Sequence, residues 1–139
     1  LWFECRDILL ANNSHARHAG LFYSNDTPKL SWKAYKLLVR KLNERRPLSV
    51  EDLSRNRVRI YKFQGNSKPL FVVWREGCEL DPACKKGGWE ELSDVIKYEK
   101  ILFTQIVCTS KNNCSMVEKT YSSTRRWINH LPVLIEPVT

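Results

Sequence analysis

The sequence lacks the features of a membrane-spanning, disordered or fibrous protein. No apolar run approaches the roughly 18 residues that a transmembrane helix needs, so no membrane span is predicted. The 139 residues include only five glycines, and 42% of them are hydrophobic against 27% charged. This composition is typical of globular chains, and the length suffices for one compact domain with a substantial core.

Acidic residues are scarce relative to basic ones, since 15 Asp and Glu face 23 Lys and Arg and give a formal charge of +8. Such an excess can attract nucleic acid, an anionic membrane or an acidic polysaccharide. The basic residues are spread along the chain, however, and those on the predicted helix and its exit are interpreted as a solvated outer face. No RNP, zinc-knuckle or helix-turn-helix signature accompanies them, so nucleic acid is not the expected partner. The helix residues concerned are Lys33, Lys36, Arg40, Lys41, Arg45 and Arg46.

Metal-ligand spacing is also missing. His15, His18 and His130 stand in no ligand spacing relative to the cysteines, and neither cysteine pair has the Cys-x-x-Cys form typical of zinc sites. Ser14-His15 followed by His18 suggests a nucleophile and a base, but no orienting acid is evident. We therefore predict neither a metal ion nor a cofactor.

Two pairs of the five cysteines have identical spacing, and each pair brackets a short loop. This spacing suits small disulfide-closed loops that leave Cys5 unpaired, although free buried thiols remain an alternative. The two pairs are Cys78 with Cys84 and Cys108 with Cys114. Three glycosylation triplets are compatible with secretion but leave the localisation open. They are Asn12-Asn13-Ser14, Asn25-Asp26-Thr27 and Asn113-Cys114-Ser115.

One amphipathic helix is predicted over residues 32 to 45. Ser31 is the expected N-cap, and Pro47 stops the helix. The apolar residues recur at three- and four-residue steps, as they do along one face of a helix. They are Trp32, Tyr35, Leu38, Val39 and Leu42. The segment 47–57 then has the character of a linker.

Beyond the linker the hydrophobic period changes to two, which is typical of strands. Residues 58–63 and 69–74 flank the turn Gln64-Gly65-Asn66-Ser67 and are predicted to form a β-hairpin. Further strands are predicted over residues 100–108, 115–121 and 131–136, with a short helical turn as an alternative for residues 89–96. Several short strands and one strong helix favour an antiparallel sandwich.

The amino-terminal part of the chain resembles the end of the catalytic domain in retaining glycoside hydrolases with a (β/α)8, or TIM, barrel. In that superfamily the eighth strand typically carries a Trp, which is matched here by Trp2. A Gly-Leu pair and a turn of the form Asp-Gly-Thr-Pro-Lys follow, matched by Gly20-Leu21 and Asn25-Asp26-Thr27-Pro28-Lys29. Ala34-Tyr35 stands where the final barrel helix of these enzymes opens.

The carboxyl-terminal part resembles the small β-sandwich that commonly follows this barrel. Phe71-Val72-Val73-Trp74 is similar to one of its early strands, and Leu131-Pro132-Val133-Leu134-Ile135-Glu136 is similar to its last. The resemblance therefore implies a mostly β chain with one long helix. Residues 1–46 would be the last strand and helix of a TIM barrel, 47–57 a linker and 58–139 an antiparallel β-sandwich.

The resemblance also implies where the chemistry lies. A complete barrel takes about 250 residues, so the chain would be the carboxyl-terminal part of a glycosidase. Its two catalytic glutamates, at the ends of the fourth and seventh strands, would precede residue 1 and leave no catalytic residue here. The chain alone would be inactive. Its expected partners are the carbohydrate substrate of the full-length enzyme and the remainder of the barrel.

Four residues of the eighth strand are the candidate substrate contacts. Trp2 offers a flat apolar ring and one N–H donor to a sugar. Arg6 and Asp7 stand at the carboxyl end of the strand, where barrel enzymes bind substrate. Glu4 lies on the same strand and is interpreted as an ion-paired barrel residue rather than a catalytic acid.

Two other functions remain open. One is a free-standing carbohydrate-binding β-sandwich in which Trp74, Trp89 and Trp127 line the binding surface. An exposed, coplanar tryptophan pair would favour it. The other is a small basic nucleic-acid-binding protein, which a continuous positive face with interleaved aromatic residues would favour.

Overall fold

The computed structural model describes residues 22, 25–45, 49–76, 86–110 and 113–138. The chain divides into two compact units, Leu1–Arg40 and Lys41–Thr139. Within the described ranges no helix is long and apolar enough to cross a membrane. The first unit includes an antiparallel bridge between Phe22 and Pro28 and most of one helix.

Helix α1 spans Leu30–Asn43 and begins earlier than predicted. The backbone carbonyl of Lys29 accepts hydrogen bonds from the amides of Trp32, at 3.1 Å, and Lys33, at 3.4 Å. The first helical turn therefore closes on Lys29. Ser31 lies inside that turn, and the prediction that it caps the helix is wrong.

The apolar stripe of α1 is only partly covered. Trp32, Leu38 and Leu42 are half-buried, and Tyr35 keeps 46% of its surface exposed. Within the first unit, the Trp32 ring contacts Phe22 at 5.2 Å and Tyr35 at 6.1 Å between ring centroids. Val39 is also exposed, so the stripe keeps two exposed members, Tyr35 and Val39.

Eight strands form two antiparallel sheets in the second unit. The larger sheet has six strands in the order β1-β2-β3-β8-β5-β6, and the smaller pairs β4 with β7. The strands are β1 (Ser49–Asp52), β2 (Val58–Gln64), β3 (Leu70–Arg75), β4 (Gly88–Glu91), β5 (Ile101–Ser110), β6 (Asn113–Tyr121), β7 (Arg125–Ile128) and β8 (Val133–Pro137). A mostly β chain with one helix and antiparallel sheets is therefore confirmed.

The last strand lies inside the six-stranded sheet. β8 pairs with β3 through Phe71↔Ile135 and with β5 through Phe103↔Ile135. Pro132 directly precedes it, where a missing backbone N–H costs no ladder bond. The prediction that the final strand pairs with an earlier one is confirmed, and the strand has a partner on each side.

The core lies on one face of the six-stranded sheet, here called the inner face. Alternate residues of β2, β3, β5 and β8 point there because side chains along a strand alternate between faces. Ile128 of β7 belongs to the same core, as do Leu92 and Ile96 of the turn after β4. The two sheets thus share one apolar core. Its strand residues in the large sheet are Val58, Ile60, Phe71, Val73, Ile101, Phe103, Val133 and Ile135.

Three strands form where the sequence did not predict them. β1 lies in the segment interpreted as a linker, and its burial pattern is exposed throughout. β4 occupies the first half of the segment for which a helical turn was the alternative. Only the second half of that segment forms a turn, in which the amide of Ile96 donates to the carbonyl of Leu92 at 2.8 Å. β7 (Arg125–Ile128) is short and half charged, so its alternation gave no strand signal.

Candidate functional site

Only some of the site residues predicted from the sequence lie among the residues that the structure describes. Trp2, Glu4, Arg6 and Asp7 lie outside the described residues, as do Cys78 and Cys84. The strand register sets Cys108 opposite Cys114 across the β5–β6 hairpin. Both disulfides stay predictions. Among the described residues, no three His, Cys, Asp or Glu side chains form a group that could hold a metal ion.

The turn before α1 contains one residue in the left-handed backbone region. Asp26 adopts a left-handed conformation, with φ of 65°, in a region that glycine occupies most easily. Asn25 supports the turn by accepting a hydrogen bond from the amide of Thr27 on Oδ1 at 3.1 Å. Asp26 stands where the barrel enzymes have glycine, and Asp is among the few other residues that tolerate this conformation.

A buried ion cluster joins Lys41, Arg45 and Glu136 within the second unit. The ammonium of Lys41 and the guanidinium of Arg45 each pair with one oxygen of the Glu136 carboxylate, the latter at 2.5 Å. Arg45 also donates to the backbone carbonyls of Lys68, at 2.7 Å, and Lys41, at 2.5 Å. Its side chain is 4% exposed, so these bonds replace the water that a charged group needs when buried.

The environment of Glu136 favours its ionised form. Burial is the largest single influence and raises the pKa, but the hydrogen bonds and positive charges of Lys41 and Arg45 together outweigh it. The net effect holds the pKa of Glu136 below its ordinary value. A general acid in catalysis needs the opposite shift, so this cluster is structural.

The face of the six-stranded sheet opposite the core, here called the outer face, is also rich in apolar side chains. Tyr61 and Trp74 stack there with ring centroids 5.5 Å apart, and both are half-buried. Glu136 belongs to the same face, because it is opposite Leu102 in the β5–β8 register. Half-buried apolar residues of the outer face also include Phe63, Val72, Leu102, Ile106, Met116 and Leu134.

Two exposed tryptophans face each other across the small sheet. Trp89 and Trp127 are directly opposite in the β4–β7 register, and they are 58% and 46% exposed. Their ring centroids are 5.8 Å apart and their planes are perpendicular, at 89°. We call this pair the tryptophan corner. The perpendicular arrangement of the two rings differs from the coplanar arrangement expected of a free-standing carbohydrate-binding module.

Backbone contacts fix one wall of the tryptophan corner. The indole N–H of Trp127 donates to the carbonyl of Lys86 at 2.9 Å. Gly87 lies against the same ring with φ of 86°, and a Cβ added there would stand 2.7 Å from the indole nitrogen. Only glycine permits both this backbone conformation and this close approach.

Two charged groups stand beside the corner on the same face of the small sheet. Arg125 and Glu91 are opposite each other, two residues along from the tryptophans. The guanidinium of Arg125 lies 5.8 Å from the centre of the Trp89 ring. Hydrogen bonds from Ser93, and then from Thr124, hold the pKa of Glu91 below its ordinary value.

A cleft of about 390 Å³ opens at the β1–β2 end of the domain, where Glu51, Lys62, Asp94 and Tyr98 are among its lining residues. Its charges are paired, Glu51 with Lys62 at 3.5 Å and Asp94 with Arg55. We see no arrangement of acid and base in it that would support catalysis.

Sequence reasoning missed the ion cluster and the polar side of the tryptophan corner. Lys41 and Arg45 were interpreted as solvated helix residues, and only their long-range contact with Glu136 reveals otherwise. Trp89 and Trp127 were noted, but their pairing depends on two strands that the sequence did not predict. A Trp within each of two short charged segments was the available signal.

Comparison with known proteins gives one informative likeness. No family model and no curated protein matches the sequence. A solved structure of a family 39 glycoside hydrolase from the gut symbiont Bacteroides cellulosilyticus WH2 covers 98% of this chain with a TM-score of 0.59, at 13% identity. The chain spans 25% of that hydrolase chain. Its fold is thus similar to a part of a glycoside hydrolase.

Proposed function

We propose that this chain is the carboxyl-terminal part of a retaining glycoside hydrolase, comprising the last β/α unit of a TIM barrel and a supporting β domain. The observation that carries the proposal is the superposition of nearly the whole chain on a quarter of a glycoside hydrolase. Hydrolysis of O-glycosidic bonds belongs to the longer protein. The substrate contacts proposed for this part are Trp2, Glu4, Arg6 and Asp7.

The turn at Asp26 supports the barrel part of the proposal. A sequence match to the motif Asp-Gly-Thr-Pro-Lys is of modest specificity, since the first two positions, Asn25 and Asp26, differ from it here. The left-handed φ of Asp26 supports the match, because glycine, the motif residue at this position, adopts this conformation most easily. Helix α1 follows this turn directly, as the final barrel helix does in the superfamily.

The ionisation of the described carboxylates supports a non-catalytic role for the β domain. A retaining glycosidase needs two carboxyl groups about 5 to 5.5 Å apart, one of them with a raised pKa. Hydrogen bonds from Ser54 and from Ser93 hold the pKa values of Asp52 and Glu91 below their ordinary values. The pKa of Glu136 is also lowered, because Lys41 and Arg45 outweigh the effect of its burial. Groups of this kind hold structure together and are poor proton donors at neutral pH.

The outer face of the six-stranded sheet is the surface that we propose supports the remainder of the barrel. The inner face already has a complete core, whereas Tyr61, Val72 and Trp74 of the outer face stay half-buried. A sheet face with several half-buried apolar side chains side by side is typical of an interface between domains.

The coding sequence upstream of Leu1 tests the proposal. We expect seven further β/α units with a glutamate at the end of the fourth strand and another at the end of the seventh. The longer product should hydrolyse an aryl glycoside with retention of anomeric configuration, measured by proton NMR of the first-formed sugar. An upstream sequence without such units would refute the proposal, and inversion would refute the retaining mechanism.

A further inference from the structure

We propose that the tryptophan corner is a binding site for a neutral carbohydrate, in which one pyranose ring stacks on the exposed indole surface of Trp89 and Trp127 and its hydroxyl groups reach Glu91 and Arg125. The site lies on the exposed face of the β4–β7 sheet. It uses none of the proposed substrate contacts Trp2, Glu4, Arg6 and Asp7.

The exposure of both tryptophans is the first argument. Single exposed apolar residues are ordinary on protein surfaces, but two indoles in contact form a continuous apolar patch. β4 and β7 bury their other face, where Ile128 is fully covered by the core. The small sheet therefore has a stable packed side, and nothing in its own packing requires tryptophan on the exposed side.

Pre-organisation is the second argument. Trp127 cannot rotate freely because its N–H is bonded to the carbonyl of Lys86 and its ring rests on Gly87. A rigid aromatic wall loses little side-chain entropy when a ligand binds. The indole faces match the apolar C–H face of a pyranose, so stacking needs no rearrangement of the protein.

Polar groups at the correct spacing are the third argument. Glu91 and Arg125 are two residues along their strands from the tryptophans, which corresponds to roughly 7 Å. One sugar ring with its hydroxyl groups can bridge that distance. The amide of Ser93 and the hydroxyl of Thr124 both donate to Oε1 of Glu91, at 3.0 Å each, so the carboxylate is held in place beside the corner.

Charge decides between a neutral sugar and a nucleic acid. Both ligands stack on aromatic rings, but a nucleic acid also brings phosphates that need a positive surface. The ionised carboxylate of Glu91 beside the corner balances the guanidinium of Arg125 and repels phosphate. The hydroxyl groups of a neutral sugar can instead donate hydrogen bonds to the carboxylate of Glu91 and accept them from the guanidinium of Arg125.

The right angle between the rings sets the form of the ligand. Coplanar tryptophans would suit a flat run of several sugars, as on a polysaccharide surface. Perpendicular rings offer one indole face to stack on and a second ring to meet the edge of the same sugar. The geometry therefore favours one sugar unit of a soluble chain.

NMR titration of the 139-residue chain tests this site. The probes are neutral gluco-, xylo- and manno-hexaose, with a dT12 oligonucleotide as the competing ligand class. With at least one hexaose, the indole N–H signals of Trp89 and Trp127 should shift saturably, while that of Trp74, stacked on Tyr61, should not. Replacing Trp89→Ala or Trp127→Ala should weaken binding roughly tenfold.

Two further variants make the test specific. Glu91→Gln keeps both rings and should weaken binding several-fold by removing the charged acceptor. Tyr98→Ala removes an aromatic side chain that is 43% exposed elsewhere, and it should leave binding unchanged. All variants should keep the wild-type dispersion of backbone amide signals in the NMR spectrum, because the altered side chains lie outside the core.

Three results would overturn the inference. They are the absence of any shift up to about 10 mM of each hexaose, shifts with the oligonucleotide alone, and a chain dimer that Trp89→Ala dissociates. None of them bears on hydrolysis by the longer protein, so the failure of this inference is distinguishable from the failure of the proposed function.

Discussion

At the scale of single residues, Glu136 shows how a charged group is used inside the β domain. Two cations are bonded to one carboxylate, and the side chains of Lys41 and Arg45 are only 8% and 4% exposed. The free-energy cost of removing these charges from water is offset by their mutual attraction only while all the partners are present. The cluster therefore fixes the end of α1 within the second unit.

Glu136→Gln should lower the free energy of unfolding by on the order of 3 kcal/mol, because it leaves the buried ammonium of Lys41 without its counter-charge and the buried guanidinium of Arg45 with only the exposed Glu44 carboxylate, at 4.0 Å. Urea unfolding would measure the change. Glu76→Gln is the matched control: its partner is Arg59, both side chains are largely exposed, and a loss between about 0 and 1 kcal/mol is expected. Equal losses in the two variants would contradict the structural role of the cluster.

The pH dependence of stability follows from the lowered pKa of Glu136. Its contribution is complete above the ordinary value of 4.5 and is lost as the pH falls through the lower folded value. Unfolding free energy should thus decline below about pH 5. Glu136→Gln should flatten this decline without abolishing it, because Asp52 and Glu91 also have lowered pKa values. A wild-type slope in the variant would rule out this assignment.

Gly87→Ala should cost between about 1 and 3 kcal/mol, because a Cβ at positive φ is strained and would meet the carbonyl of Ile128 at 2.5 Å. The near-ultraviolet circular dichroism of the tryptophans should change as Trp127 is displaced. Gly88→Ala is the neighbouring control. Its Cβ meets only the end of the flexible Arg75 side chain, so a change within about 1 kcal/mol is expected. A larger loss of stability for Gly88→Ala than for Gly87→Ala would contradict the positive φ of Gly87.

At the scale of elements, β8 is the strand on which the large sheet depends. It joins the β1-β2-β3 half to the β5-β6 half, so its removal would divide the sheet and expose two edges. Deletion of residues 131–139 should therefore abolish cooperative unfolding rather than trim a peripheral strand.

Ile135→Ala gives the same test without truncation. Ile135 is fully buried between Phe71 and Phe103, so the cavity should cost about 2 to 5 kcal/mol in urea unfolding. Val117→Ala on the edge strand β6, where Val117 is 40% exposed, should change stability by about 0.5 kcal/mol or less. A small effect at Ile135 would show that the core is not organised around β8.

Most of the large sheet could be predicted from the sequence because its core strands alternate. Buried Val58 and Ile60 alternate with half-buried residues, as do buried Phe71 and Val73, and the turn between the two strands contains Gly65 and Asn66. β1, β4 and β7 were missed for the opposite reason, since they are four residues long and rich in charge. Their strand form comes from pairing with a neighbour, which a single sequence does not encode locally.

At the scale of the whole molecule, function is less accessible to sequence than fold. The candidate substrate residues Trp2 to Asp7 came from a resemblance, and they stay predictions. The tryptophan corner needed the register of two strands separated by more than thirty residues. Long-range pairing also hid the ion cluster, because Lys41 and Glu136 are 95 positions apart.

Initial rates of aryl glycoside hydrolysis by this chain and by the longer product of its gene, measured side by side, test the central claim most directly. We expect turnover by the longer protein and none by the 139-residue chain, because we propose that the two glutamates that stabilise charge at the anomeric carbon lie upstream of it. Turnover by the 139-residue chain that is abolished by a change at Glu4 or Asp7 would contradict the account.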